Sequence, residues 1–134
     1  MAKTENQQKK EDVFTAYKCA VKELLEERDF FTTKECIDRA LTYTAPCFYV
    51  TYHECKRFIS LMLRGIQPPL RNPMKIAMYD DIFVKFLKHG YEYDGYKYLK
   101  KIINGPAPSF YLEKETFEKI VREMLKIARR KKKW

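Results

Sequence analysis

The heptad TAPCFYV, residues 44–50, recurs later in the chain as PAPSFYL, residues 106–112. Shifting the chain by 62 residues superimposes the two copies without gaps. The same shift places the Met-Leu pair of residues 62–63 on that of residues 124–125, and many mismatches exchange one apolar residue for another. A constant offset that preserves apolar positions is the signature of a duplicated structural unit. The sequence therefore predicts a tandem repeat.

Composition sets the scale of the protein. The chain has 134 residues, of which 46% are hydrophobic and 15% aromatic, enough for a packed core in one domain or two small ones. No apolar run approaches the roughly 20 residues that span a bilayer, and the polar start MAKTENQQKKED lacks the apolar stretch of a secretory signal. The 4 cysteines form no CxxC motif. We therefore expect a cytoplasmic protein with free thiols.

Around the heptad, each repeat is predicted to hold three helices. In the first repeat, residues 13–64, they cover about residues 13–27, 33–43 and 52–64, and in the second, residues 75–127, about 75–89, 96–104 and 114–129. The predicted fold is all-α, a tandem repeat of two three-helix units. Residues 1–12 are expected to be flexible, GIQPPLRNPM (65–74) to be a proline-rich linker that cannot be helical, and 128–134 to be a basic tail.

Apolar residues at helical spacing predict which faces are buried. These are Phe14, Tyr17, Val21, Leu24 and Leu25 on the first helix, Cys55, Phe58, Ile59, Met62 and Leu63 on the third, Ile76, Tyr79, Phe83, Phe86 and Leu87 on the fourth, and Phe117, Ile120, Val121, Met124 and Leu125 on the sixth. Thr32 with Glu35, and Thr51 with Glu54, have capping-box spacing at helix starts, and Gly65 is placed to end the third helix.

The repeated heptad itself predicts a structural corner, formed by Pro46, Phe48 and Tyr49 and again by Pro108, Phe110 and Tyr111. Proline disfavours helical geometry in the residue before it, so the preceding helix ends there. We expect both phenylalanines to be buried under the helices and both tyrosines to be half exposed. An alternative is that Tyr49 and Tyr111 are two equivalent contact points for a ligand or partner.

Catalytic and metal-site patterns are missing from the sequence. It has no phosphate-binding glycine loop, no GxSxG and no HExxH. His53 and Cys55 are two apart on one helix, so their side chains point in different directions and cannot pair as nucleophile and base. A zinc site from Cys36, Cys47, His53 and Cys55 would have irregular spacing. We therefore predict no catalytic residues, no metal, no cofactor and no small-molecule substrate.

The positive charge is concentrated in two places. The formal net charge is +9, yet residues 1–50 and 76–118 are nearly neutral. Residues 51–75 carry Lys56, Arg57, Arg64, Arg71 and Lys75 against one acid, and the chain ends in ARRKKKW. Such segregation predicts contact with a polyanion at these two places.

Two helices, a turn and a capped third helix resemble the helix-turn-helix architecture of many small DNA-binding proteins, once over residues 13–64 and again over 75–127. Its corner is longer than the usual turn of roughly three to four residues. The resemblance implies that the third helix enters the major groove by its N-terminal end. Groove contact would come from Thr51, Tyr52 and His53, and phosphate contact from Lys56, Arg57, Arg64, Arg71, Arg129, Arg130, Lys131, Lys132 and Lys133. The matching helix of the second repeat begins with three acids and would repel phosphate.

The predicted function is thus a non-enzymatic accessory or regulatory protein, of bacterial or phage origin, that binds nucleic acid, DNA rather than RNA. The alternative is a helical protein-interaction or structural module with paired equivalent surfaces, whose tail only aids solubility. A protein partner or a homodimer is compatible with both, and no membrane partner is expected because no apolar helix beside the tail is free to insert.

Overall fold

A computed structural model of the protein describes residues 5–90 and 96–131. Over these residues the chain is all-helical, with six α-helices and no strand. They are α1 (Glu5–Glu27), α2 (Thr33–Ala40), α3 (Tyr52–Leu63), α4 (Pro73–Lys85), α5 (Lys97–Asn104) and α6 (Lys114–Lys131), and a single π-helical turn, Phe86–Gly90, continues α4.

Helices extend into three segments that were predicted to lie wholly or partly outside them, whereas residues 65–72 of the linker are non-helical, as expected. α1 begins at Glu5, so most of the predicted flexible N-terminus is helical, and Gln8 donates to Asp12 at 3.0 Å one turn later. Pro73 opens α4 inside the predicted linker, because the first helical position needs no N–H donor. α6 continues to Lys131, so the described part of the predicted tail is the last turn of a helix.

The local stop and start signals act as predicted. The hydroxyls of Thr32 and Thr51 each accept a bond of 3.1 Å, from the backbone N–H of Glu35 and of Glu54 respectively. At the end of α3, Gly65 has a φ of 74° and donates to Met62, while Ile66 donates to Leu61. This pair of bonds is a Schellman motif, in which a left-handed residue satisfies the last carbonyls of the helix.

Gly65→Ala is expected to lower the free energy of unfolding by about 1 kcal/mol, because a Cβ makes the left-handed conformation costly. No neighbouring atom lies within 4 Å of the added Cβ, so the effect is purely one of backbone conformation. Urea unfolding measures it. Gly65→Asn is the control and should cost less, since Asn tolerates this region; equal losses for both variants would contradict the conformational explanation.

The described helices form two compact units that do not follow the predicted division of the chain. Unit 1 comprises residues 1–44 and 108–134, and unit 2 comprises residues 45–107. α1, α2 and α6 therefore pack together, and α3 packs with α4 and α5. The predicted units, 13–64 and 75–127, differ from the observed ones in the place of the third helix. α3 was predicted to pack with α1 and α2 but lies in unit 2 with α4 and α5. α6 was predicted to pack with α4 and α5 but lies in unit 1 with α1 and α2.

In unit 1, α1 buries a stripe that is rotated from the predicted one. The buried residues are Val13, Ala16, Ala20 and Leu24, whereas Leu25 is 63% exposed and Phe14, Tyr17 and Val21 are half-buried. Two alanines on the inner face let neighbouring helices approach closely, which apolar periodicity alone does not reveal. α6 contributes Phe117 and Val121, and the ring of Phe117 packs edge-on against Phe110 at 6.0 Å.

In unit 2, Tyr79 of α4 joins two helices at the centre of the core. It is 2% exposed, meets the ring of Phe58 edge-on at 4.9 Å, and donates its hydroxyl to Glu54 at 3.3 Å. The predicted face of α4 is again rotated: Met78 and Ile82 are buried, while Ile76 and Leu87 are 36% and 47% exposed.

The repeated heptad supplies a short backbone pairing inside unit 2. Ala45 and Ala107, which occupy the same place in the two copies, exchange reciprocal N–H···O bonds of 2.9 Å, and Phe48 donates to Ile103 at 2.9 Å. Phe48 and Phe110 are each 3% exposed, as predicted, and Tyr49 and Tyr111 are half-buried. Both alanines are 1% exposed, so this pairing lies inside the folded unit.

Candidate nucleic-acid interface

The start of α3 is integrated into unit 2 rather than presented as a free helix end. The hydroxyl of Thr51 caps the helix, and the hydroxyl of Tyr52 donates to the backbone carbonyl of Tyr96 at 3.3 Å. Two of the three predicted groove-contact residues therefore use their polar groups within the unit. The third, His53, is exposed beside the Tyr52 ring at a centroid distance of 6.0 Å.

The predicted phosphate-contact residues of α3 are exposed. The Lys56 ammonium lies 5.2 Å from the centre of the Tyr96 ring, and the Arg57 guanidinium lies 4.9 Å from that of Phe58. Arg64 follows the last turn of α3 and Arg71 precedes α4, both exposed to solvent. The basic side chains around α3 are thus free of carboxylate partners in the ion pairs recorded for the described residues.

α5 presents three more exposed lysines, one of which contacts α3, and sequence reasoning missed them. Lys97, Lys100 and Lys101 are exposed, and the Lys100 ammonium lies 5.0 Å from the centre of the Tyr52 ring on α3. The signal was in KYLKKIIN, where lysines fall at i, i+3 and i+4 opposite the buried Leu99, Ile102 and Ile103. We call Lys56, Arg57, Lys97, Lys100 and Lys101 the basic face of unit 2.

Carboxylates are few on the helices that form the basic face. α5 contains none, and α3 contains only Glu54, which is half-buried and accepts the Tyr79 hydroxyl. The charges of the basic face therefore add rather than cancel. A cluster of one sign raises the local concentration of counter-ions of the other sign and speeds the arrival of a polyanion.

A second basic surface lies on α6 in unit 1. Arg129, Arg130 and Lys131 form its last turn, and Lys119 and Lys126 continue the exposed side, whereas Arg122 is paired with Glu118 at 2.6 Å. Cations at a helix C-terminus also stabilise the helix through its dipole. The predicted Lys132 and Lys133 lie outside the described residues.

Two acidic side chains near the end of α1, those of Glu23 and Glu27, are engaged within unit 1. Arg39 binds Glu27 through two bonds of 2.8 Å, which lower the pKa of that carboxyl, and Glu23 accepts the Tyr43 hydroxyl at 2.6 Å. Burial, together with this bond, raises the pKa of Tyr43 to about 12. The charges of Arg39, Glu23 and Glu27 are therefore paired within unit 1, and exposed lysines on α1 and α2 are suitable sites for control substitutions.

The four cysteine thiols differ in their burial. All four are free; Cys36 and Cys55 are buried, Cys47 is half-buried and Cys19 is exposed. Burial raises the pKa of Cys55 to about 12, so its thiol stays protonated and unreactive near neutral pH. Among the described residues, no group of three or more His, Cys, Asp or Glu is placed to hold a metal ion.

An open apolar cleft of about 300 Å³ lies in unit 2 where α3 ends and α4 begins. Its lining includes Met62, Ile66, Leu70, Ile76 and Phe83, with Asp80 at the edge.

Over residues 5–90 and 96–131, no helix has the length and apolarity that crossing a membrane requires.

Comparison of the chain with protein-family models, curated proteins and solved structures finds no match. The fold and surface define an all-helical protein with a lysine-rich face in one unit and a basic helix end in the other. Its function is therefore inferred from its own residues and their contacts.

Proposed function

We propose that the protein is a non-enzymatic accessory or regulatory protein that binds nucleic acid, DNA in preference to RNA, through the basic face of unit 2 and the basic end of α6. The observation that carries the proposal is a pair of contacts between two segments: Lys56 of α3 lies over Tyr96, which precedes α5, and Lys100 of α5 lies over Tyr52 of α3. Residues 44 positions apart in sequence thereby form one positive surface.

Its chemistry suits phosphate more than base edges. Lysine and arginine neutralise backbone phosphates and release counterions, which favours binding with little sequence preference. Of the predicted groove residues, only His53 offers an uncommitted polar side chain, since Thr51 and Tyr52 are engaged inside the unit. Phosphate contact by Lys56 and Arg57 is accordingly the larger part of the proposed interaction.

The proposal also includes an origin of the fold by duplication. Several positions 62 residues apart are buried in both copies, each in its own unit, among them Ala20 and Ile82, Leu24 and Phe86, and Ile59 and Val121. Two copies of one helical block, exchanging their third helices, account for these pairs and for the Ala45–Ala107 bonds.

Salt-dependent binding to labelled duplex DNA tests the function. The affinity is expected to fall steeply with salt, with a log–log slope of about −4 to −5 if roughly five phosphates are contacted. K56E/R57E should weaken binding about tenfold or more at low salt, because two favourable contacts become repulsive. R129Q/R130Q/K131Q should reduce the slope while leaving α6 helical.

K22E/K34E is the matched control, since both lysines are exposed and lie on α1 and α2 of unit 1. It should leave the affinity within about twofold. If only the α6 variant lost binding, the role of the basic face would be excluded. If the wild-type protein bound no nucleic acid at low salt, the proposed function itself would be refuted.

A helical protein-interaction module is the second candidate, and the apolar cleft at the end of α3 favours it. Exposed Ile66 and Ile76 at its edge, 47% and 36% accessible, are typical of surfaces that proteins cover. Absence of nucleic-acid binding at low salt would leave this candidate as the better account.

A further inference from the structure

Two lysines and two tyrosines alternate on the exposed side of unit 2. The Lys100 ammonium lies over the Tyr52 ring at 5.0 Å, and the Lys56 ammonium lies over the Tyr96 ring at 5.2 Å. All four side chains are exposed or half-exposed. We call these four residues the tyrosine–lysine face.

Each tyrosine ring is fixed by a contact within unit 2. Tyr52 is anchored by its hydroxyl bond of 3.3 Å to the carbonyl of Tyr96, and Tyr96 stacks on the buried Phe86 at 5.9 Å with an interplanar angle of 11°. Rings that are already ordered lose little conformational entropy when a flat ligand stacks on them. The anchoring therefore makes these tyrosines suitable as a platform.

The lysines that lie over the rings are only weakly held there. A lysine ammonium is a strongly hydrated point charge on a flexible stem of four carbons, and its exposed attraction to a ring is worth only about 0.5–1 kcal/mol. A phosphate offers a stronger, charge-assisted bond. When a phosphate arrives, the ammonium can turn toward it and uncover the ring face for a base.

A ring face and an adjacent cation select a particular form of nucleic acid. In a duplex, base faces are stacked on each other and only edges and phosphates are accessible, so the tyrosines would contribute nothing beyond edge contacts. In an unpaired strand, the faces are available, and stacking on an aromatic side chain is worth about 1–3 kcal/mol per base.

We propose that the tyrosine–lysine face binds an unpaired nucleic-acid strand, with bases stacked on Tyr52 and Tyr96 and the intervening phosphates held by Lys56 and Lys100. The inference rests on the proposed function, nucleic-acid binding, and adds the form of the polymer. Little sequence preference is expected, because every base has a stacking face.

The test compares a fluorescent oligothymidylate with a duplex of equal length in anisotropy titrations at the same salt concentration. The unpaired strand should bind about tenfold more tightly. Tyr52→Leu and Tyr96→Leu should each weaken its binding about tenfold and leave duplex binding unchanged. Tyr52→Phe keeps the ring and should retain most of the affinity. Tyr43→Leu, a half-buried tyrosine in unit 1, is the matched control and should have no effect.

A measurement on the wild-type protein guards against misfolded variants. An oligonucleotide carrying 5-iodouracil, irradiated in the complex, should crosslink to peptides containing Tyr52 or Tyr96, as mapped by mass spectrometry. Equal or tighter duplex binding, unaffected by the leucine substitutions, or crosslinks confined to α6, would overturn the stacking site while leaving the proposed function standing. Absence of binding to either polymer would overturn both.

Discussion

Phe117→Ala is expected to lower the free energy of unfolding by about 3–5 kcal/mol, the usual cost of removing a fully buried phenylalanine ring. Phe117 is 0% exposed and packs edge-on against Phe110 in unit 1. The substitution removes both the apolar burial and the aromatic pair, and leaves a cavity that the surrounding helices fill only in part. Urea unfolding followed by circular dichroism measures the loss.

The same variant tests which helices α6 packs with. Hydrogen exchange should become faster in α1, α2 and α6, because local opening follows cooperative packing units. Lys119→Ala, an exposed substitution on the same helix, is the control and should change stability by less than about 0.5 kcal/mol. Loss of protection in α4 and α5 instead would contradict the observed grouping and restore the sequential units.

The second large effect concerns nucleic-acid affinity. K97E/K100E/K101E should lower the affinity for DNA by about 100-fold or more at moderate salt and reduce the salt slope by about 3, because three phosphate contacts are replaced by repulsion. α5 should keep its fold, since its buried residues are Leu99, Ile102 and Ile103 on the opposite side. Filter binding or anisotropy at several salt concentrations measures both quantities.

The control for this variant must change net charge equally. K18E/K22E/K34E does so at three exposed lysines of α1 and α2 in unit 1. If binding reflects only the overall charge of +9, the two triple variants should weaken it equally, and the basic face would have no special role. A much larger loss for the α5 variant places the contact on unit 2.

Features governed by neighbours three or four residues apart were predicted correctly. The caps at Thr32 and Thr51, the stop at Gly65 and the lengths of α3 and α5 agree closely with expectation. Each depends on hydrogen bonds between residues of the same turn, so the information needed is contained in a short segment.

The inner faces of α1 and α4 were harder to predict. Both helices carry two overlapping apolar stripes, and periodicity favoured the one with larger side chains. In α1 the stripe with Leu25 is partly exposed and the stripe with Ala16 and Ala20 is buried; in α4, Ile76 is partly exposed and Met78 and Ile82 are buried. Which stripe faces inward depends on how closely the neighbouring helices approach, and that is a property of the packed unit.

Part of the candidate site could be predicted from the sequence, and part depends on tertiary contacts. Lys56 and Arg57 could be selected from their place on α3, and the tail from its run of charges. The contribution of α5 depends on the contact of Lys100 with Tyr52 and of Tyr52 with the Tyr96 carbonyl, which joins segments distant along the chain. No local pattern near α3 encodes those partners.

Helix content and helix ends follow from residues close together in the chain, because short-range hydrogen bonds and side-chain spacing suffice to specify them. The helices with which α3 and α6 pack are not specified by residues close together in the chain. α3 and α6 both offer buried apolar residues to similar pairs of helices, so local preferences favour neither pairing strongly. The choice rests on long-range packing, including the bonds between Ala45 and Ala107 in unit 2 and the packing of α6 against α1 in unit 1. Such contacts exist only once the whole chain has folded.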